Sequence, residues 1–199
     1  AALPLVGLTV FRALVSRGRL ASGESILILG AGGGVAPMAV SIAAAIGAHP
    51  FVTSSSRAKV AQAVEHGAAD GVLYSTPTWP EDAKALSPGG RGFDVVLDTV
   101  GSWPESVRAL RPGGRLVVLG ASRSELAPMD VRQFYFGQYD LLGTTMGSPR
   151  DFRGLLALLD MRSVAAPLID TVFPLADAAA AHQHLEAGGA FGKIVLEIP

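Results

Sequence analysis

The 199-residue sequence predicts an α/β protein: a doubly wound, six-stranded parallel sheet with helices on both faces, followed by C-terminal helices and a last strand. Three observations predict it. Short apolar runs alternate with helical segments from residue 25 to residue 145. The turn signals Pro88-Gly-Gly-Arg-Gly-Phe93 and Arg111-Pro-Gly-Gly-Arg115 stand directly before two of the runs. The first run, Ser25–Leu29, ends in the cluster Gly30-Ala-Gly-Gly-Gly34 and opens an alanine-rich helical stretch. Alternation of this kind implies right-handed crossovers and a sheet buried on both faces.

Taken in order, Gly7 to Arg17 has helical spacing, with Leu8, Phe11, Leu14 and Val15 on one face and Gly18 as a stop. The predicted strands are Ser25–Leu29, His49–Thr53, Gly71–Tyr74, Asp94–Asp98, Arg115–Gly120 and Asp140–Thr145. Between them lie predicted helices at Val35–Gly47, Arg57–Gly67, Pro80–Leu86, Pro104–Leu110 and Met129–Gln138. After Thr145 the pattern changes. Pro149–Met161 and Leu175–Ala187 read as helices, and Phe191–Ile198 as a final strand. Residues 1–148 therefore read as one domain and 149–199 as a C-terminal addition.

Bulk composition excludes several classes. A formal net charge of -1 with 17% charged residues suggests no nucleic-acid partner. Cysteine is absent, which rules out a disulfide scaffold and a thiolate metal site and fits the cytoplasm. The opening Ala1–Gly7 lacks a basic region before an apolar one, so no secretory signal is expected. Ser25 to Ala48 carries no charge over 24 positions, long enough to suggest a membrane span. Gly30, Gly32, Gly33, Gly34 and Pro37 break that stretch into a strand and a buried helix, so none is expected.

A dinucleotide pyrophosphate sits on a helix N-terminus reached through the pattern G-x-G-x-x-G/A. Starting the pattern at Gly30 or at Gly32 puts Val35 or Pro37 in the last place, and both fail. Starting at Ala31 gives Gly33 and then Ala36, a small residue suited to close helix–strand packing. The first glycine is then an alanine, and Pro37 falls in the first helical turn, where its missing N–H costs nothing. A merely structural strand-to-helix turn is the plainer alternative.

About 20 residues after the glycine turn, an NAD site carries Asp or Glu for the ribose 2′-hydroxyl. Here Thr53-Ser-Ser-Ser56 occupies that place, followed at once by Arg57 and Lys59, and the next acidic residue is Glu65. Hydroxyls and cations suit a 2′-phosphate. Cations in a first helical turn oppose the helix dipole, which favours a functional reason over a solvated one. The cofactor expected is NADP.

With these residues in place, the chain resembles the medium-chain dehydrogenase/reductase superfamily, in its zinc-type alcohol dehydrogenase and quinone oxidoreductase-like branches. The segments that carry the resemblance are Gly7–Leu14, Ala31–Ala36, His66-Gly-Ala-Ala-Asp70 with Tyr74, Phe93–Gly101, Arg111–Gly120 and Phe191–Leu196. It implies a Rossmann-type domain with Thr9 near the nicotinamide and Gly33, Gly34 and Val35 meeting the pyrophosphate through backbone amides. Ser54, Ser55, Arg57, Lys59 and Tyr74 would surround the adenosine 2′-phosphate. Asp98, Thr99 and Val100, with Gly120 and Ala121, would line the cleft, and Met146 and Gly147 would flank the nicotinamide. Asp98 is read equally well as a cap on the next turn. The resemblance also implies a homodimer through the Asp140–Thr145 edge strand, an edge that otherwise lies unpaired.

The family's β-rich N-terminal domain, which supplies the substrate pocket and any catalytic zinc ligands, has no counterpart in this chain. No catalytic residue is therefore assigned here. His182 and His184 lie two apart on a predicted helix and make a poor metal pair; with His49 and His66 they read as surface residues. The expected function is the cofactor-binding portion of an NADP-dependent oxidoreductase acting on an alcohol/carbonyl pair or a quinone/enone. A non-catalytic NADP(H)-sensing module is one alternative. A methyltransferase is the other, disfavoured because Ser54–Ser56 stands where a methyl donor's ribose needs a carboxylate.

Overall fold

The computed structural model describes residues 2–161 and 164–199; Ala1, at the head of the opening stretch, lies outside them. The sheet forms as the apolar runs predict. Its strands are β1 (Ser25–Ile28), β2 (His49–Ser54), β3 (Asp70–Leu73), β4 (Phe93–Asp98), β5 (Leu110–Val118) and β6 (Asp140–Gly143). They pair in parallel in the order β3-β2-β1-β4-β5-β6. Chain order reverses between β1 and β4, which opens a crevice outside their carboxyl ends.

Side chains alternate cleanly across the sheet. Ile26, Ile28, Val52, Val95, Leu97 and Val117 turn to one face, under α1 (Leu3–Phe11), α2 (Val35–Ile46) and α3 (Arg57–Glu65). Leu27, Leu29, Phe51, Val72, Phe93, Val96 and Leu116 turn to the other, under α4 (Trp79–Leu86) and α5 (Trp103–Ala109). Burial on both faces is why the strands read as continuous apolar runs. Phe51 and Phe93 meet edge to face at 5.3 Å inside the second layer.

Three differences from the sequence reading have physical causes. α1 begins at Leu3 rather than Gly7, because Pro4 sits in its first turn, where no N–H is missed. It then runs into a π-helical stretch over Arg12–Arg17, closed by the Gly18 N–H on the Ala13 carbonyl at 2.8 Å. β5 begins at Leu110, ahead of the turn that was expected to precede it. Arg111–Gly114 is taken up as an irregularity against β4, with Gly113 at a φ of +73°.

Beyond α6 (Val131–Phe136), β6 and α7 (Pro149–Met161), the chain forms β7 (Ile169–Pro174), α8 (Ala178–Glu186) and β8 (Lys193–Glu197). β7 is absent from the sequence reading. β7 and β8 pair in parallel across α8 as a second, two-stranded sheet. Both carry β-branched residues, but their faces are only half buried, so pairing rather than a strong apolar pattern makes the strand. No helix among the described residues is long and apolar enough to cross a membrane.

Candidate functional site

The carboxyl ends of β1, β2, β4 and β5 open onto a row of adjoining cavities. The glycine turn joins β1 to α2 at its centre. Gly30 adopts a φ of +83°, a conformation that an alanine holds only with strain. The tight-turn role thus falls to Gly30, while Ala31 is buried and donates its N–H to the Thr53 carbonyl at 2.7 Å. The Gly33 N–H reaches back to the Gly30 carbonyl at 3.3 Å. Ala36, in the small-residue place, is buried against the sheet.

Gly34 stands just before α2, and no side chain among the described residues caps the first amides of that helix. Those N–H groups and the helix dipole face an opening, which is the arrangement an anion needs. A cavity of about 330 Å³ lies there, floored by Gly30 to Gly34 and walled by Ser54, Ser55, Lys59 and Tyr74. Two side chains approach the bare turn closely. A Cβ built on Gly32 would stand 2.8 Å from the Lys59 side chain, and one on Gly34 would stand 2.5 Å from Lys193 Cδ. Two lysines therefore lie across the turn, one from α3 and one from β8.

Beside it, a cavity of about 420 Å³ is lined by Leu29, Gly30, Thr53, Tyr74, Trp79, Val100, Ser102, Ser122 and Arg123. Tyr74 borders both cavities, as does Gly30. A third of about 310 Å³ follows β5 and β6, lined in part by Gly101, Trp103, Gly120, Ala121, Gly143 and Thr144. The buried Thr144 hydroxyl has no hydrogen-bond partner among the described residues.

The structure brings Gly33, Gly34, Ser54, Ser55, Lys59, Tyr74, Val100, Gly120 and Ala121 into this row of cavities. Val35 follows as the first residue of α2. Ser54 is buried and accepts the Ser56 N–H at 3.2 Å. Arg57 opens α3 as an exposed side chain with no hydrogen bond or ion pair among the described residues. Thr99 donates its hydroxyl to the Leu29 carbonyl at 3.2 Å, clasping β4 to the end of β1.

Asp98 does not reach a cavity. It is fully buried, and its carboxylate accepts the Val100 and Gly101 N–H groups at 2.8 Å each and the Ser106 hydroxyl at 3.0 Å. Of its two sequence readings, the geometry matches the cap: it shapes the turn that presents Val100. Thr9 lies on α1 with its hydroxyl on the Leu5 carbonyl at 2.7 Å. Met146 is half exposed at a φ of +45°, and the next residue, Gly147, packs directly on Leu8. The end of β6 and Thr9's turn of α1 are therefore neighbours.

Sequence reasoning missed Lys193, Trp79 and Arg123. Lys193 stands at the far end of the chain from Gly34, and only the packing of the C-terminal unit brings them together. Trp79 carried a findable signal, a tryptophan before Pro80 just after β3. His184 lies at the surface, its side chain 39% exposed, and its Nε2 pairs with Asp170 at 2.7 Å. No group of three or more potential metal ligands occurs among the described residues.

A parallel sheet whose crevice meets an uncapped helix through a glycine turn defines the doubly wound class that binds phosphate-bearing ligands there. The comparison with known proteins narrows this: the chain belongs to the zinc-binding dehydrogenase family, whose model matches residues 34–161. It is 34% identical to a zinc-type alcohol dehydrogenase-like protein of Leptosphaeria maculans, covering 100% of this chain and 58% of that one. An NAD-dependent alcohol dehydrogenase structure superposes with a TM-score of 0.91 at 32% identity, over 100% of this chain and 58% of the other. A quinone oxidoreductase from Thermus thermophilus, solved also as its complex with NADPH, gives 0.85 at 31% identity, over 100% and 65%. The family is one of oxidoreductases, which sets aside the methyltransferase reading. The chain spans less than two thirds of the length of each of these relatives.

Proposed function

We propose that this chain is the NADP(H)-binding part of an oxidoreductase that moves hydride between the nicotinamide and an alcohol/carbonyl pair or a quinone/enone. The observation that carries the cofactor reading is the end of β2. It offers Ser54, Ser55 and Lys59 beside an uncapped glycine turn, with Arg57 exposed at the start of α3 and no carboxylate that would repel a 2′-phosphate.

The residues fit the cofactor in its parts. The amides that open α2 would hold the pyrophosphate over a floor without side chains, and Lys193 would offset its charge. The cavity lined by Trp79, Val100 and Tyr74 suits the adenosine, with Arg123 also in its lining. Thr9 and Met146, joined through Leu8 and Gly147, would flank the nicotinamide. When bound, the nicotinamide supplies or accepts the hydride; the chain's own groups bind and orient it. The substrate pocket, and a zinc ion where one is used, belong in this reading to the part of the relatives that this chain does not match. The protein is read as a cytoplasmic homodimer joined at β6.

Ser54→Asp tests the reading. An aspartate there keeps an acceptor for the Ser56 N–H and adds charge beside the phosphate. NADPH affinity is expected to fall by about tenfold or more relative to NADH, the equivalent of one repelled charge. An unchanged NADPH:NADH ratio would remove β2 from cofactor choice.

A further inference from the structure

The C-terminal unit of β7, α8 and β8 touches the glycine turn through the loop 188–192, and one carboxylate ties that loop down. Asp170 on β7 accepts the Phe191 N–H at 2.9 Å with one oxygen. With the other it accepts the Thr171 hydroxyl at 2.9 Å and meets His184 Nε2 of α8 at 2.7 Å. The Phe191 amide first, and then the His184 ring, hold this carboxyl below the ordinary aspartate range, so it stays ionised at neutral pH. On either side, Lys193 N–H binds the Leu168 carbonyl at 2.8 Å, and the Phe191 ring packs over Ala31, Ala36, Val40 and Ala63.

The loop so anchored takes hold of a side chain from the other end of the cavity. Lys59 Nζ donates to the Gly188 carbonyl at 2.8 Å and to the Ala190 carbonyl at 3.2 Å. Gly188, Ala190 and Gly192 line the same cavity as the glycine turn and Ser54. An ammonium has three N–H donors, so two are engaged by the loop and one is left for a ligand. A lysine otherwise loses much rotamer freedom when it grips an anion, and here that freedom is already gone before binding.

We propose that Asp170 is a positioning residue for cofactor choice: by fixing the loop 188–192 it holds the Lys59 ammonium at the glycine turn, set for a ribose 2′-phosphate. The inference rests on the reading of Lys59 as a 2′-phosphate contact. Asp170 lines none of the three cavities of the cleft and acts wholly through the loop. Its loss should therefore weaken recognition of the 2′-phosphate and leave the rest of the nucleotide bound as before.

The test uses adenosine 2′,5′-bisphosphate and adenosine 5′-monophosphate as probes, titrated calorimetrically into the wild type, Asp170→Ala, Lys59→Gln and the double variant. Asp170→Ala is expected to cut the preference for the bisphosphate by about tenfold, the scale of one charge-assisted contact. In the Lys59→Gln background it is expected to cut nothing further. Asp170→Asn, which keeps an acceptor for the Phe191 N–H, should recover most of the preference. Should Asp170→Ala unfold the C-terminal unit, His184→Gln loosens the same anchor from outside the cavity and should move the preference in the same direction. Equal losses for both probes, or additive effects with Lys59→Gln, would overturn the proposal while leaving the cofactor reading intact. An unchanged preference in Lys59→Gln would overturn both.

Discussion

Lys59 and Gly34 show how single residues divide the work of the cleft. At 34 a Cβ would meet the Lys193 side chain of β8, so glycine there leaves that lysine its place over the turn. Gly34→Val is therefore expected to displace Lys193 and cover the amides that open α2. Cofactor affinity should drop by more than about tenfold, the scale of a lost charge-assisted contact, while the melting temperature moves little, because Gly34 sits outside the core. Fluorescence titration alongside thermal melting checks both halves of that expectation. At this scale the sequence was legible where chemistry is local. The glycine cluster, the serines after β2 and Tyr74 all stand within one strand–turn–helix step of each other and reach the cavities as read. Residues delivered from far away were not legible. Lys193 and Arg123 come from separate elements, and nothing in their own neighbourhoods marks them. Ala31 was assigned the first place of the fingerprint by spacing, whereas backbone sterics give the turn to Gly30.

At the scale of elements, α7 is held to α1 by close glycine contacts and one buried carboxylate. A Cβ on Gly154 would stand 2.6 Å from the Phe11 ring, and one on Gly7 would stand 3.0 Å from Leu155. Gly154→Ala is thus expected to destabilise the protein by about 1–3 kcal/mol through overpacking, despite alanine's better helix propensity. Urea denaturation measures it. Asp151 is buried and accepts the Ser16 hydroxyl, the Ser148 N–H and hydroxyl, and Arg12 at 2.8 Å. The Ser16 hydroxyl and the Ser148 amide lead in holding its carboxyl far below the usual range, against the opposing effect of burial. A depressed folded-state pKa means stability that is full above the unfolded value near 4 and is lost as pH falls below it. Asp151→Asn should accordingly cost about 2–3 kcal/mol at pH 7. The gap from the wild type should narrow by pH 3, which denaturation at the two pH values would show. The parallel strands were legible because both faces are buried. β7 was not, although Thr171-Val-Phe173 between Pro167 and Pro174 carries strand propensity, because its faces are half exposed and its partner lies across α8.

Over the whole molecule, six parallel strands end on one row of cavities, and the opposite edge of the sheet is β6. No strand among the described residues pairs with its outer side, where Arg17 Nε donates to the Gly143 carbonyl at 3.1 Å, and the neighbouring Leu126, Val131, Tyr135 and Phe136 are exposed. An open edge beside exposed apolar side chains is a liability unless paired. The protein is expected to sediment as a dimer. A Phe136→Lys/Leu141→Lys variant should sediment as a monomer with its cofactor affinity retained, since neither position lines the glycine turn. A wild type that remains monomeric at micromolar concentration would remove that expectation. The parallel sheet and its cleft followed from the alternation of runs and turns, whereas the docking of the C-terminal unit onto the glycine turn followed from no local pattern. The central claim is that this cleft takes NADP(H) through the glycine turn and the cations after β2. Its most direct test is to titrate the protein with NADPH and with NADH, following nicotinamide fluorescence, and to repeat both with Arg57→Ala plus Lys59→Ala. Tighter binding of NADPH is expected, with that preference lost in the double variant. Equal affinity for the two cofactors, or binding of neither, would contradict it.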